Sequence, residues 1–377
     1  MKKDINPFPL SGYYGPGYFC DRETETKRLT DNAKNGINST LLSVRRMGKT
    51  GLLQHVFHTL KNNRKVQCIY LDVYATQNLK DFTNALAAAI LKAFPEKKST
   101  GKKFMDVLKG LRPVISFDAL SGQPEVSINF SQPKQYEQSL NGLFSFLDRQ
   151  PVSTIIAIDE FQQVATYPEE NTEALLRTII QQLKNVHFIF SGSNKHMLSE
   201  IFSNSKRPFF ASTQTIHLDP IPEEKYLSFI TAILKSHKRK ITPEALLFIA
   251  RWTRLHTYYT QVICNRLFAT GEKEITLPLV QQECNHILNE QESVFFQYRN
   301  LLTVMQWNLL KAIAREDKVY QPSARNFIHT HAVGTPANVQ RALEALTTKE
   351  MIYRDHDKNG NYYRVYDCFL ARWLERH

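Results

Sequence analysis

Four residues carry the chemistry open to this sequence: Lys49 and Thr50 in one short stretch, and Asp159 and Glu160 far downstream. The first pair ends the run Leu41-Leu42-Ser43-Val44-Arg45-Arg46-Met47-Gly48-Lys49-Thr50-Gly51, which reads as a strand end, a tight loop and a helix start. Such a loop can wrap consecutive backbone N–H groups around a phosphate, and the N-terminus of the following helix adds a partial positive charge. Ser43, Val44, Arg45, Arg46, Met47, Gly48, Lys49, Thr50 and Gly51 are therefore the candidate nucleotide-binding residues. Gly48 allows a close backbone approach, Lys49 reaches the β- and γ-phosphate oxygens, and the Thr50 hydroxyl is a ligand for Mg²⁺. The chemistry predicts a nucleoside triphosphate with magnesium. Ser43 stands where the pattern G-x-x-x-x-G-K-[ST] has its first glycine, and serine makes positive φ costly there, which predicts an altered loop shape.

The acids close the argument. Thr154-Ile155-Ile156-Ala157-Ile158-Asp159-Glu160 is a short apolar run ending in two carboxylates. A buried strand of this kind delivers Asp159 to the magnesium coordination sphere and sets Glu160 to polarise an attacking water. Glu160 and Lys49 are the catalytic candidates; Thr50 and Asp159 are the metal candidates. A further strand, Val186 to Phe190, is tipped by Ser191, Ser193 and Asn194, whose hydroxyl or amide groups suit a γ-phosphate sensor and equally a plain helix cap.

These residues need a scaffold, and the chain has the length for two or three domains at 377 residues, with 42% apolar and 22% charged residues. Short apolar runs at 40–43, 66–73, 154–159, 186–190 and 213–218 alternate with helical spacings, among them Leu79, Phe82, Leu86, Ile90 and Phe94. Alternation of this kind predicts a mostly parallel three-layer α/β domain over residues 1–219, with right-handed crossovers. Residues 95–133 differ in texture: Lys97, Lys98, Lys102 and Lys103 precede two β-rich runs separated by a turn, which predicts a hairpin insertion. The helices expected at 223–235, 243–252, 258–270 and 279–291 form a bundle over 220–294.

From residue 295 the pattern is three helices and then strands flanking Asn359-Gly360, a hairpin signal. That order describes a winged helix-turn-helix over 295–377, with residues 335–348 as recognition helix and Asn338 and Arg341 on its open face as candidate DNA contacts. A protein partner is the alternative for such a module.

The net charge of +12 is compatible with a polyanionic partner. Cys20, Cys68, Cys264, Cys284 and Cys368 are scattered without a C-x-x-C pair, so a reducing compartment is expected, not a disulfide frame or zinc site. No H-E-x-x-H occurs, and His55 and His58 read as helix-surface residues. Without an apolar leader or a run of about 18 apolar residues, no signal peptide or membrane span is expected, and the default location is the cytoplasm.

Taken together, the chain resembles the P-loop ATPases of the AAA+/STAND group, in particular the prokaryotic archaeal-type ATPase family of the MNS clade. The matching residues are Phe19-x-x-Arg22-Glu23-x-Glu25, Arg45-Arg46-Met47-Gly48-Lys49-Thr50, Ile158-Asp159-Glu160 and Ser191-Gly192-Ser193. Further matches are His256-x-Tyr258-Tyr259-x-Gln261 and Asp367-x-Phe369-Leu370-x-Arg372-Trp373. The resemblance implies an ATPase core, a helical lid and a winged helix acting as a nucleotide-controlled switch, with ATP as the nucleotide. It places Phe19 and Arg22 beside the adenine and the lid, and it leaves self-association open. Adenine rests on this resemblance and on the absence of an N-K-x-D motif. Thr257 stands where the lid motif usually has proline, and Arg207 is the candidate for a trans-acting arginine.

Overall fold

A computed structural model describes residues 6–61, 65–95, 104–105, 113–117, 124–128 and 134–377. The chain forms two compact units, residues 11–221 and residues 222–377 with the first ten.

The first unit is built on a five-stranded sheet of β1 (Ser39–Leu42), β2 (Val66–Asp72), β5 (Ser153–Asp159), β6 (Val186–Ser191) and β7 (Gln214–His217). Its order is β2-β5-β6-β1-β7, and every pairing is parallel. Adjacent residues of one strand serve opposite faces. Ile156 and Ile158 of β5, with Phe188 and Phe190 of β6, join one buried cluster, whereas Ile155, Ala157 and Ile189 join the other. The first face is covered by the helices Leu79–Ala93, Lys134–Asp148, Thr172–Gln182 and Lys195–Ser203, and the second by Glu23–Lys34 and Lys49–Leu60. A sheet buried on both faces explains why its strands read as continuous apolar runs, and it makes the three layers expected.

The strands β3 (Pro113–Phe117) and β4 (Pro124–Ile128) pair antiparallel, which is the expected hairpin. The four lysines before it, together with Asn129 and Phe130 of the expected second strand, lie outside the described residues. The helix Lys134–Asp148 has no counterpart among the expected elements.

In the second unit the helices Glu223–Ser236, Pro243–Trp252, Thr257–Ala269 and Leu277–Asn300 lead into Val304–Glu316, Arg325–His331 and Pro336–Thr348. The short strands β8 (Lys240–Ile241) and β9 (Glu274–Ile275) pair in parallel. Leu277–Asn300 runs well past the expected end near 291, because no glycine or proline interrupts it after Pro278. The wing is β10 (Ile352–Asp357) with β11 (Gly360–Val365). Asp357 pairs with Gly360, so the two loop residues are Lys358 and Asn359 instead of Asn359 and Gly360; Gly360 supplies the positive φ of 115° just after them. A last helix, Cys368–Leu374, is capped by Asp367, whose side chain accepts from the N–H groups of Phe369 and Leu370. Residues 6–10 belong to this unit: Asn6 donates to the Asn265 carbonyl, and the Asn265 amide donates to that of Phe8, each at 2.8 Å. Among the described residues no helix is long and apolar enough to cross a membrane.

Candidate functional site

The loop after β1 joins the helix Lys49–Leu60 through a Gly48 with φ of 94°, a conformation that costs a glycine little. Met47 is buried against the sheet and anchors the loop, while Arg45 and Arg46 are exposed. Ser43 is not among the residues with positive φ; the non-glycine residue of this loop that is, Arg46, has φ of 65°. The expected backbone cost at Ser43 therefore does not arise. Its hydroxyl instead donates to the Val44 carbonyl at 2.9 Å and accepts from Lys49 Nζ at 3.2 Å. Lys49 is 6% exposed, and burial pushes its ammonium below the usual lysine value, with Asp159 and Glu160 opposing that shift. An ammonium buried this deeply, beside a helix N-terminus, fits a polyanion as its partner.

Asp159 ends the central β5, and both its carboxylate oxygens are engaged. Oδ2 accepts from Thr50 Oγ1 and from the Tyr70 hydroxyl, each at 2.8 Å. Oδ1 accepts from Ser191 Oγ at 2.5 Å and from the Glu160 N–H at 3.1 Å. Thr50 of the loop helix and Asp159, on a strand separated from β1 by β6, thus meet at one point. A hydroxyl and a carboxylate are hard oxygen donors, the set that suits Mg²⁺.

Glu160 turns the chain at φ of 58°, held by Phe161, a fully buried side chain 4.6 Å from the Phe190 ring. Its Oε2 accepts from the Ser193 N–H at 3.0 Å, Ser193 Oγ at 2.8 Å and Gln162 Nε2 at 2.5 Å. A Cβ on Gly192 would stand 1.9 Å from Gln162 Oε1, so a larger residue there would displace the Gln162 amide. The three sensor candidates thereby separate: Ser191 serves Asp159, Ser193 serves Glu160, and Asn194 caps the helix Lys195–Ser203 by accepting from Met197 N–H at 3.0 Å.

Phe19 lies against the loop helix, its ring edge 3.6 Å from where a Gly51 Cβ would be, and stacks on His55 at 4.3 Å. His55 in turn bonds the Tyr13 hydroxyl at 2.8 Å, so it belongs to an aromatic cluster beside the loop helix. Arg22 is 4% exposed and pairs with Glu25 at 3.1 Å, while its Nη2 is buried without a hydrogen-bond partner. Arg207 is engaged within its own chain by Glu173. Asn338 and Arg341 lie in the second unit, on the helix Pro336–Thr348, where Arg341 Nη2 donates to Asn338 Oδ1 at 2.7 Å. Tyr70 and Gln162 are the contributors the motifs do not announce. A hydroxyl in the apolar run 66–73, near the strand's C-terminal end where parallel sheets bind ligands, is the signal for Tyr70.

Residues 19–246 match the family described as an ATPase domain predominantly from Archaea. The chain belongs to that family. Residues 293–376 of the chain match a probable winged helix domain. Its fold is that of a Walker-type ATPase of Pyrococcus abyssi, with a TM-score of 0.67 at 17% identity, covering 98% of this chain and 99% of that one. It is similar also to the Aeropyrum pernix ORC2 protein, solved as ADPNP–ADP complexes, with a TM-score of 0.60, 15% identity and 99% and 96% coverage. The Aeropyrum pernix ORC1 protein, solved in complex with DNA, gives 0.52, 13%, 98% and 96%. No curated protein matches the ATPase by sequence.

Proposed function

We propose that this ATPase binds ATP with Mg²⁺, hydrolyses it slowly and uses nucleotide occupancy as a switch. The observation that carries the reading is the meeting of Thr50 and Asp159 at 2.8 Å beside a buried Lys49. In it, the backbone N–H groups of residues 44–49 and the Lys49 ammonium hold the polyphosphate, replacing the Ser43 hydroxyl as the lysine's acceptor. Thr50 and Asp159 would hold the metal, which supplies charge neutralisation at the phosphates when bound. Glu160 accepts the proton of the attacking water. With Oε2 tied by three donors, it does so through Oε1 or after release, and this restraint supports slow turnover. Phe19 and Arg22 are assigned to the nucleoside end, in a protein of the cytoplasm. ADPNP and ADP in the ORC2 relative support adenine.

Glu160→Gln is the test. The variant is expected to bind ATP as the parent does while turnover falls on the order of a hundredfold or more, the scale of a lost general base. Undiminished hydrolysis in homogeneous protein would contradict the assignment.

A second reading concerns output. Arg341 on the helix Pro336–Thr348, and Arg354 and Lys358 on the wing, are exposed cations on the winged helix. They support docking to DNA or to an acidic protein surface, with the division at 219 and 294 separating core, lid and winged helix.

A further inference from the structure

The carboxylate of Asp159 has four donors, and they come from different places. Ser191, Tyr70 and the Glu160 N–H belong to the sheet or its immediate continuation, whereas Thr50 belongs to the phosphate-binding loop. Oδ1 is held twice from the sheet side. Oδ2 has one loop donor, Thr50, and one sheet donor, Tyr70.

Tyr70 sits on β2 opposite Ala157 of β5, and it packs with the cluster on the side of the sheet that the loop helix covers. From there its hydroxyl donates to Asp159 Oδ2 at 2.8 Å, the oxygen that also accepts from Thr50. The ring is half-buried, and its hydroxyl is the donor in the bond to Asp159 Oδ2.

We propose that Tyr70 is a positioning residue of the nucleotide site: its hydroxyl fixes Asp159 Oδ2 in the direction that a Thr50-bound Mg²⁺ of the triphosphate requires. The proposal rests on the ATP and Mg²⁺ reading above. Once Thr50 turns its oxygen to a metal and the loop adjusts to phosphate, Tyr70 is the donor to Oδ2 that does not move with the loop. Without it the carboxylate is held from the sheet through Oδ1 alone, and the direction of Oδ2 must be fixed at the moment the metal binds. Donors behind a metal ligand typically contribute 10–100-fold in metal affinity, about 1.4 kcal/mol for each factor of ten.

Tyr70→Phe removes the hydroxyl and keeps the ring. The full chain is titrated with a fluorescent ATP analogue in EDTA and again over a range of Mg²⁺ concentrations, with Mn²⁺ paramagnetic resonance as an independent readout of the metal. Expected are an unchanged affinity in EDTA, a half-saturating Mg²⁺ concentration raised about tenfold, and weaker Mn²⁺ binding to the nucleotide complex. An unchanged Mg²⁺ requirement overturns the proposal. So does a lowered one, which would make Tyr70 a placeholder that competes with the metal. An equal loss of affinity in EDTA overturns it as well, by showing a general structural role. Failure of the underlying reading looks different: the parent protein itself would then show no Mg²⁺-dependent binding.

Discussion

Lys49 Nζ donates to two uncharged acceptors, Ser43 Oγ at 3.2 Å and the Val44 carbonyl at 3.5 Å. Burial lowers its proton affinity, and the Asp159 and Glu160 charges only oppose that effect. Phosphate contact reverses that, because an anion stabilises the ammonium. Triphosphate binding must then be accompanied by proton uptake wherever the free protein has already lost the Lys49 proton. The sign follows: above neutral pH, ATP affinity falls as pH rises through the depressed Lys49 value, which lies below the ordinary 10.5. Nucleotide titrations from neutral pH upward check this, and an affinity flat to the ordinary lysine range would contradict it. The loop, the acid pair and their convergence at Thr50 and Asp159 were legible in sequence because phosphate chemistry demands particular residue types at fixed spacing. Ser43 departs from expectation in one respect: the pattern ties its position to a glycine, but the positive φ values of the loop lie at Arg46 and Gly48. The motifs announce neither Tyr70 nor Gln162: the Tyr70 contact joins residues 89 positions apart, beyond any short motif, and Gln162, two positions after Glu160, belongs to no phosphate-site pattern.

At the scale of elements, buried strands declare themselves. β5 and β6 are buried almost throughout, with unbroken apolar runs at their centres, and both faces are covered. The helix Lys134–Asp148 is harder to see because it follows the insertion and opens with Lys134-Gln135-Tyr136-Glu137, although Leu140, Leu143, Phe144 and Leu147 are buried at helical spacing. The winged helix contributes a different kind of device. Asp317 bridges Arg254, which lies just ahead of the helix Thr257–Ala269, and Arg364 of β11, with Arg254 Nε at 2.6 Å from Oδ1 and Arg364 Nε at 3.1 Å. Arg254, Leu255 and Asp317 all have positive φ, so the pairing secures two strained turns. Nearby, Arg372 Nε donates to the Trp252 carbonyl at 2.9 Å, tying the last helix to the same turn.

Burial raises the Asp317 carboxyl, but the Arg364 hydrogen bond and the charges of Arg254, Arg364 and Arg372 together outweigh it and hold the group below its usual value of 3.8. A carboxylate with a depressed folded-state value stabilises the protein above its unfolded value and loses that contribution as pH falls through the folded one. Asp317→Asn is therefore expected to lower the melting temperature of the full chain at pH 6–8 by a constant amount. The gap should close as the pH drops below about 4, the unfolded aspartate range. A gap that persists unchanged into acid would contradict the bridge.

For the whole molecule, composition carried less than order. A net charge of +12 is spread over 377 residues, and it does not say whether the winged helix meets DNA. The sequence of parts did carry information: a phosphate loop, an acidic strand end, helices and then a hairpin are arranged as in an ATPase with a winged helix. A gel shift with duplex DNA across salt concentrations decides the output. Retardation that responds to nucleotide and fades steeply with salt identifies phosphate contacts, and no retardation at low salt assigns the wing to a protein partner.

Whether the loop and the acidic strand serve one polyphosphate is tested most directly by a crystal structure with a non-hydrolysable ATP analogue and Mn²⁺ in place of Mg²⁺, read by anomalous scattering. A single strong peak touching Thr50 Oγ1, on the side facing the Asp159 carboxylate and the terminal phosphates, is the expected result. Triphosphate bound away from Lys49, or a manganese peak elsewhere with Thr50 and Asp159 still bonded to each other, would contradict the account.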